Sequence, residues 1–327
     1  MKQINLGLIG IGGQGRIHLR NCLRLKEAKL IGVADISETA LKFAKKLGIR
    51  NVYKNYEDLL SNQQIDAVII SLPNFLHLES VTKAAEAGKD IFLEKPLARN
   101  VAEGQKILSS VKRNGVKLML GYNLRFTAII RELYEKIVDG FFGEVEIVQA
   151  TNVSHGPFTP KGGMKRLRSV PSWWFNKELA GGGALLDLGS HLINLLIWCF
   201  GEIVNVKSYL GYKFNLELED SAVCMLKFKS GPVATVNVGW FSKDFIQNIQ
   251  VCGTAKSLCI HLSPPSILSL VWADIKRKLG KFEHDSYYTE LKYFVECLRK
   301  DIVPLPSGKE GLTDLQVISM AYENCII

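Results

Sequence analysis

A glycine motif near the N-terminus constrains the fold of this chain more than any other feature. Residues 10–15 read Gly-Ile-Gly-Gly-Gln-Gly, which fits the spacing G-x-G-x-x-G. An apolar run over residues 5–10 precedes the motif, and a segment with helical apolar periodicity over residues 17–25 follows it. A glycine turn between a strand and a helix lets backbone N–H groups and the helix N-terminus approach a pyrophosphate. The sequence therefore predicts a dinucleotide site with five contacting residues: Gly10, Ile11, Gly12, Gln14 and Gly15.

A second apolar run, residues 30–34, ends in a carboxylate. Asp35 lies 20 residues beyond Gly15, the separation at which an acid hydrogen-bonds the ribose hydroxyls of a dinucleotide. This carboxylate would repel a 2′-phosphate, and no arginine follows it to neutralise one. We therefore expect NAD as the cofactor in preference to NADP, with Asp35 and Ile36 among the residues that bind it.

Strand and helix patterns continue to alternate up to residue 122. Further strands are predicted at residues 67–72, 90–94 and 117–121, and helices at 78–87 and 101–114. This order is typical of an α/β domain with a doubly wound parallel sheet, the Rossmann arrangement. Ligands on such a sheet bind beyond the carboxyl ends of the strands. That rule adds the candidate cofactor residues that follow the strands: Ser71, Leu72, Pro73, Asn74, His77, Glu94 and Lys95.

From residue 144 onward, longer extended runs replace this alternation. Several of them alternate in polarity, as half-covered antiparallel strands do; the runs are 145–153, 204–212, 222–229, 233–240, 249–252 and 257–261. We expect a second domain of α+β type with an open, largely antiparallel sheet. The predicted boundaries are 1–122 for the NAD-binding domain and 123–327 for substrate binding and oligomerisation, with the active site in the cleft between them. Whether the C-terminal helix packs back on the first domain stays open.

Composition and charge exclude several classes of protein. The chain has 327 residues, of which 47% are hydrophobic and 22% charged, as in ordinary folded enzymes. Its net charge of +9 is accompanied by no nucleic-acid-binding motif, which favours a solvated basic surface over a nucleic-acid site. The N-terminus lacks the pattern of a secretory signal, and Asp187 and His191 interrupt the longest apolar stretch, residues 184–200. We therefore expect a cytoplasmic protein without a membrane span.

Several segments resemble one oxidoreductase family. Glu94-Lys95-Pro96 after a strand, together with the run Gly121-Tyr122-Asn123-Leu124-Arg125-Phe126, resembles the Gfo/Idh/MocA family (glucose-fructose oxidoreductase, inositol dehydrogenase and rhizopine catabolism). Residues 181–191 resemble the glycine run and D-x-x-x-H site of that family. Asp220, Gly239-Trp240 and Gly253-Thr254 resemble its second-domain strands, and residues 290–298 resemble its closing helix. The resemblance covers almost the whole chain.

Lys95, Asp187 and His191 are the catalytic candidates. Hydride transfer from a carbinol needs a group that takes the hydroxyl proton and groups that orient the substrate toward the nicotinamide. Asp187 and His191 are four residues apart, a spacing that places both on one face of a helix. By resemblance, Lys95 or His191 is the acid/base and Asp187 the orienting group, and which of the two takes the proton stays open. The remaining substrate-binding candidates are Asn123, Arg125, His155 and Trp174.

Asp187 and His191 admit two other interpretations. One is an aspartate cap bonded to a core histidine, which the resemblance makes the less favoured. The other is a metal site, since carboxylate and imidazole are ligands of zinc and iron. A third ligand is missing, because His77 fits a cofactor-side loop and His155 the substrate loop. We therefore expect no metal.

Residues 154–176 form a predicted loop over the active site. Many family members have a tryptophan–arginine pair before the glycine run, whereas Phe175 follows Trp174 here, so that arginine has no equivalent in this chain. A solvated loop is the favoured interpretation of its basic residues, Lys161, Lys165, Arg166 and Arg168. The sharper alternative is an anionic substrate, such as a uronate, a sugar phosphate or a nucleotide-sugar.

The resemblance implies an NAD(P)-dependent dehydrogenase. It would transfer a hydride between nicotinamide C4 and a secondary hydroxyl of a sugar, cyclic polyol or sugar derivative. Two alternatives stay open: a closed-cycle NAD enzyme that cleaves a glycoside or forms an epimer by transient oxidation, and a non-catalytic NAD-binding redox sensor. The resemblance also implies a homodimer or homotetramer formed through the second-domain sheet, with neither nucleic acid nor membrane as partner.

Overall fold

The computed structural model describes residues 3–157, 170–262 and 285–326. Its described residues cluster into two compact units. The first comprises Met1–Phe126 with Asp285–Thr313, and the second comprises Thr127–His284 with Asp314–Ile327, as far as these ranges are described. The four basic residues of the predicted loop, and a second basic cluster at Lys276, Arg277, Lys278 and Lys281, lie outside the described residues.

The described helices alternate with strands in the first third of the chain, as the sequence predicts. In chain order they are α1 (Gly13–Arg24), α2 (Glu38–Lys46), α3 (Tyr56–Leu60), α4 (His77–Glu86), α5 (Val101–Asn114), α6 (Ala128–Val138), α7 (Lys177–Ala180), α8 (Ser190–Phe200), α9 (Ser286–Arg299) and α10 (Gly308–Glu323).

A six-stranded parallel sheet forms the centre of the first unit. Its strands lie in the order β3-β2-β1-β4-β5-β6 and are β1 (Ile4–Ile9), β2 (Ala28–Ala34), β3 (Asn51–Tyr53), β4 (Ala67–Ile70), β5 (Asp90–Glu94) and β6 (Leu118–Gly121). All residues of β4 are buried, as expected when helices cover both faces of a parallel sheet. The strand order reverses between β1 and β4, which is where such sheets bind ligands. The doubly wound parallel sheet is confirmed.

Helix α9 packs against this sheet. Leu291, Phe294 and Val295 are fully buried in the same apolar cluster as Leu8 and Phe92, and the rings of Phe92 and Phe294 lie 5.7 Å apart. The apolar side of the helix thus finds its partner in the first unit. For this reason the compact units differ from the boundaries predicted from sequence, since residues 123–126 and Asp285–Thr313 belong to the unit of the parallel sheet.

A second six-stranded sheet forms the centre of the second unit. Its order is β12-β11-β7-β10-β9-β8, and the strands are β7 (Val145–Val153), β8 (Ile203–Gly211), β9 (Ser221–Phe228), β10 (Val233–Gly239), β11 (Ile246–Gly253) and β12 (Ser257–His261). Every neighbouring pair is antiparallel except β7 and β10. Burial alternates residue by residue along β9, so one face is covered and the other exposed. The open, largely antiparallel sheet is also confirmed.

One described segment is long and apolar enough to cross a membrane by length and composition, Lys177–Phe200. Of its most apolar window, 61% is buried inside the protein. Leu192, Ile193 and Leu196 of α8 are all at most 1% exposed. The segment therefore provides core side chains to the second unit.

Candidate active site

Gly10 ends β1 in a conformation that few other residues adopt. Its φ is +88°, and a Cβ built on it would lie 2.2 Å from the carbonyl oxygen of Ser71. The Ser71 N–H in turn donates to the carbonyl of Ile9 at 2.8 Å. A side chain at position 10 would therefore push the ends of β1 and β4 apart, and glycine is required there.

The next turn leaves an open cradle at the start of α1. Gly12 is the N-terminal cap of the helix and has ordinary extended angles. A Cβ on Gly12 or Gly13 would meet no described atom within 4 Å. The first N–H groups of a helix have no intrahelical acceptor, and they favour an anion. This cradle fits a pyrophosphate that a side chain would displace, while Gln14 and Gly15 continue into the first helical turn.

Asp35 is positioned by two backbone groups. Its Oδ2 accepts a hydrogen bond from the Ile11 N–H at 2.6 Å, and its Oδ1 accepts one from the Ser37 N–H at 2.7 Å. The Ile11 side chain is buried, so this residue presents only its backbone to the cradle. The side chain of Ile36 is 90% exposed beside the carboxylate. An acid fixed at this distance from the glycine turn fits the ribose end of NAD.

The loop after β4 contains four half-buried candidates, Ser71, Leu72, Pro73 and Asn74. His77 behind them is fully buried, with Nδ1 2.9 Å from the Pro96 carbonyl and Nε2 3.0 Å from the Leu72 carbonyl. Burial lowers the pKa of this imidazole. This effect is larger than that of the hydrogen bonds to the two carbonyls, which raise the pKa. Its ring joins the loop after β4 to the turn after β5, and cofactor contact by His77 stays a prediction.

The end of β5 presents Lys95. The side chain is half-buried, and the peptide bond between Lys95 and Pro96 is cis. Glu94, one residue earlier, is only 8% exposed, and its Oε1 lies 2.5 Å from His18 Nε2. The Glu94 side chain therefore points into the first unit, so any contact that it makes with the cofactor would come from its backbone.

Asn123 and Arg125 have contacts that the sequence did not predict. Both are buried; Asn123 Nδ2 donates to Ser286 Oγ at 3.0 Å, and Arg125 Nη1 to Glu310 Oε1 at 2.7 Å. These bonds join the short helical turn Asn123–Phe126 to α9 and to the start of α10 within the first unit. Their substrate-binding role stays a prediction.

In the second unit, Asp187 lies in a π-helical turn, Leu185–Gly189, directly before α8. The sequence predicted an ordinary helix here. The Asp187 N–H donates to the Gly183 carbonyl at 2.9 Å, and Ser190 Oγ donates to the Asp187 carbonyl at 3.3 Å. His191 is the second residue of α8 and, like Asp187, is half-buried. Single π-helical turns are rare and often occur at functional sites.

Glu219 anchors this turn from a distant part of the chain. Its Oε1 accepts hydrogen bonds from the Gly183 and Leu185 N–H groups, both at 3.0 Å, and from the Tyr322 hydroxyl at 2.9 Å. A Cβ on Gly183 would lie 2.0 Å from the Glu219 carbonyl oxygen, which explains the glycine at this position. Burial raises the pKa of the Glu219 carboxyl above its ordinary value. The Glu219 side chain thus accepts hydrogen bonds from N–H groups at the start of the π-helical turn, as an N-terminal capping residue does in an α-helix.

Trp240 brings together the remaining candidates of this unit. Its Nε1–H donates to Asp187 Oδ2 at 3.3 Å, and its ring lies 6.3 Å from that of Trp174. His155 lies beside it in the chain path, because the Ser154 N–H donates to the carbonyl of Gly239 at 2.9 Å. The structure thus gathers Asp187, Trp174 and the segment of His155 around one indole.

Sequence reasoning left Trp240 and Glu219 out of the site. Trp240 was noted only within the family resemblance, and Glu219 was not noted at all. The available signals were weak: an aromatic residue directly after a strand, and one of three acids, Glu217, Glu219 and Asp220, shortly before β9. Their contacts span 53 and 36 positions of the chain.

Comparison with known proteins agrees with both units. The model of the oxidoreductase family with an NAD-binding Rossmann fold, GFO_IDH_MocA, matches residues 4–122, and the GFO/IDH/MocA C-terminal domain model matches residues 130–259. Myo-inositol 2-dehydrogenase of Thermotoga maritima is 28% identical over 327 residues, which cover 94% of this chain and 92% of that protein. The NAD(+)-dependent scyllo-inositol 2-dehydrogenase of Bacillus subtilis is 28% identical over 330 residues, with 96% and 92% covered.

A solved structure supports the fold. The crystal structure of scyllo-inositol dehydrogenase from Lactobacillus casei, with bound cofactor NAD(H) and scyllo-inositol, has a TM-score of 0.82 to this chain. It is 21% identical and covers 99% of this chain and 97% of its own. The parallel sheet with its glycine cradle and fixed acid defines an NAD-binding oxidoreductase. The two family models together match most of the chain, and the protein belongs to the Gfo/Idh/MocA oxidoreductase family.

Proposed function

We propose that this protein is an NAD-dependent dehydrogenase that acts on a secondary hydroxyl of a sugar, a cyclic polyol or a sugar derivative. The observation that carries the proposal is the pairing of Asp187 with Trp240 at a π-helical turn that leads directly to His191. A carboxylate and an imidazole on one turn, next to an indole face, can hydrogen-bond and stack on a polyhydroxylated ring. The relatives named for inositols support this substrate class.

The roles of the individual residues follow from their chemistry. When bound, NAD supplies the nicotinamide C4 that accepts the hydride. Gly12 and the start of α1 hold the pyrophosphate, and Asp35 accepts hydrogen bonds from the ribose hydroxyls. Lys95 or His191 takes the hydroxyl proton, and Asp187 orients the substrate by accepting a hydroxyl hydrogen bond. Trp240 fixes the carboxylate of Asp187 for that task.

The direct test is reduced-nicotinamide absorbance against a panel of inositols, aldoses, uronates and nucleotide-sugars. Wild type should turn over at least one member with NAD. Lys95→Ala and His191→Ala are compared, and the variant that lacks the acid/base should lose at least ~100-fold in kcat. Lys106→Ala, which removes an exposed lysine from α5, is the matched control and should retain full turnover. If the wild type binds NAD but turns over no member of the panel, the dehydrogenase proposal is overturned in favour of the redox sensor or the closed-cycle enzyme.

Bound cofactor distinguishes those two alternatives. A closed-cycle enzyme would co-purify with NAD and convert a glycoside or an epimer without net NADH. A sensor would bind NAD and convert nothing. The uronates and nucleotide-sugars in the panel also test the anionic-substrate hypothesis, since only an anionic substrate should show a KM that rises steeply with salt.

We also propose a cytoplasmic homodimer or homotetramer formed through the exposed face of the second sheet. That face presents large apolar side chains on several strands, including Ile147 of β7 and Val223 and Met225 of β9, which are 51%, 47% and 53% exposed. Exposed apolar area of this kind is typical of an interface. Light scattering of the full chain should give a multiple of 36.5 kDa, and the monomer mass would contradict the proposal.

A further inference from the structure

A buried cluster of three ionisable side chains lies in the first unit behind Lys95. His18 from α1, Glu94 from β5 and Glu290 from α9 are all buried, and their ligand-type atoms lie within 4.8 Å of one another. Neither NAD binding nor hydride transfer, as derived above, uses this cluster. It nevertheless joins the helix that starts at the glycine cradle to β5, the strand that ends directly before Lys95.

Two members of the cluster are already paired. His18 Nε2 lies 2.5 Å from Glu94 Oε1. The imidazole packs edge-on against Phe92, with ring centroids 5.2 Å apart, and against Tyr287 at 6.3 Å. This packing holds the ring in a fixed orientation toward Glu94.

Glu290 is the unexplained member. It is fully buried, and neither of its carboxylate oxygens has a hydrogen-bond partner among the described residues. An ionised carboxylate without partners is very costly in such a place, whereas a neutral carboxylic acid has a donor to offer. Two carboxylates a few ångströms apart also favour keeping one of them protonated.

The charges around Glu290 also favour its protonated, neutral form. Burial holds the pKa of its carboxyl well above the usual range, and the negative charges of Glu94 and Asp285 raise it further. Asp285 itself pairs with Arg24 at 3.2 Å. Tyr287, on the same helix, has its pKa raised by burial and therefore stays a neutral phenol.

A metal ion is a poorer occupant of this cluster. Zinc ligands stand about 2.0–2.2 Å from the ion in tetrahedral geometry, which keeps ligand atoms more than 3 Å apart. His18 Nε2 and Glu94 Oε1, 2.5 Å apart, are in direct hydrogen-bond contact and stand closer than two ligand atoms of one zinc ion would.

We propose that His18, Glu94 and Glu290 form a proton-sharing triad, in which Glu290 is a neutral carboxylic acid whose O–H is directed at Glu94. The triad fixes the end of β5 against α1 and α9, so His18 and Glu290 are positioning residues for Lys95 and for the cradle. The link to Lys95 rests on the proposed function. The protonation of Glu290 does not.

The pH dependence of unfolding tests the protonation state. The ordinary pKa of a glutamate carboxyl is 4.5. Above this pH, Glu290 keeps its proton in the folded chain and releases it in the unfolded chain. The folded state therefore loses stability relative to the unfolded state as the pH rises from there toward the raised pKa. Glu290→Gln keeps a neutral donor at the same position and removes this loss. The melting temperature of E290Q minus that of wild type should grow by at least ~4 °C between about pH 5 and about pH 8.

Glu296→Gln is the matched control. Glu296 lies on the same helix, is partly exposed, and is 3.8 Å from Lys292. The melting temperature of E296Q minus that of wild type should not change over the same pH range. If the corresponding difference for E290Q does not change either, the triad is overturned. A stoichiometric divalent metal in the purified wild type that E290Q lacks would also overturn it, in favour of a metal centre.

NAD affinity tests the positioning role without any turnover. E290Q should bind NAD within about twofold of wild type, because its amide keeps a neutral donor beside Glu94. Glu290→Leu removes the donor and should weaken NAD binding at least ~5-fold, about the energy of one hydrogen bond. Equal affinities for the two variants would overturn the positioning role, and E290Q alone decides the protonation if E290L does not fold. Since none of these measurements needs a substrate, a failed substrate panel leaves them interpretable.

Discussion

The two units differ in how the chain assembles their sites. In the first unit, the glycine cradle lies within one continuous strand–helix–strand segment, Ile4–Ala34, and Asp35 directly follows that segment. In the second unit, Asp187 depends on Trp240, 53 positions away, and its turn depends on Glu219 and Tyr322. The first site is therefore encoded locally and the second by tertiary packing. A local site can be identified from spacing, whereas a dispersed one becomes visible only in the fold.

The largest effect should come from breaking the local site at its backbone. In Gly10→Ala, the new Cβ would lie 2.2 Å from the Ser71 carbonyl at a φ of +88°. We expect a loss of about 3 kcal/mol in the free energy of unfolding, from left-handed strain and forced separation of β1 and β4. Urea denaturation of the purified chain measures it. A loss below ~1 kcal/mol would mean that the strand ends are looser than the structure indicates.

A smaller effect should come from the dispersed site. Trp240→Phe keeps an aromatic ring beside Trp174 and removes only the N–H that donates to Asp187. We expect kcat/KM for the best substrate to fall about 5- to 10-fold, which corresponds to one hydrogen bond of about 1 kcal/mol. Trp198→Phe is the control, since Trp198 stacks on Tyr134 at 3.9 Å on the same unit and has no proposed role in turnover. Equal losses in the two variants would assign Trp240 to the core alone.

Much of the fold follows from the sequence pattern. The predicted bounds of β5, β7, β12 and α5 agree with the structure, because apolar periodicity and flanking turn residues determine them. The edge strand β3 was not predicted, since three residues, Asn51–Tyr53, are too few to show a period. The sequence left open whether a C-terminal helix, here α9, packs on the first sheet. Its apolar face requires some partner, but periodicity does not say which.

The site residues likewise divide into those that the sequence pattern predicts and those whose placement only the fold shows. Gly10, Gly12 and Asp35 were predicted because each spacing has a direct physical meaning. The π-helical turn at Asp187 was not, because four-residue spacing alone does not distinguish it from an α-helix. His77 was predicted to bind cofactor from its position in a loop, and only the fold shows that its ring lies between two carbonyls. Position in the chain indicates proximity to a site, and only the fold gives the direction of a side chain.

The most direct test of this division is titration of NAD into two variants, Gly12→Ala and Asp187→Asn. A methyl on Gly12 meets no protein atom within 4 Å, so G12A should fold as wild type does, yet bind NAD at least ~10-fold more weakly because the methyl occupies the pyrophosphate cradle. D187N should bind NAD with unchanged affinity and lose at least ~100-fold in turnover, because the substrate is no longer correctly oriented. Unchanged NAD affinity in G12A, or a comparable loss of NAD affinity in D187N, would contradict the assignment of cofactor binding to the first unit and of substrate orientation by Asp187 to the second.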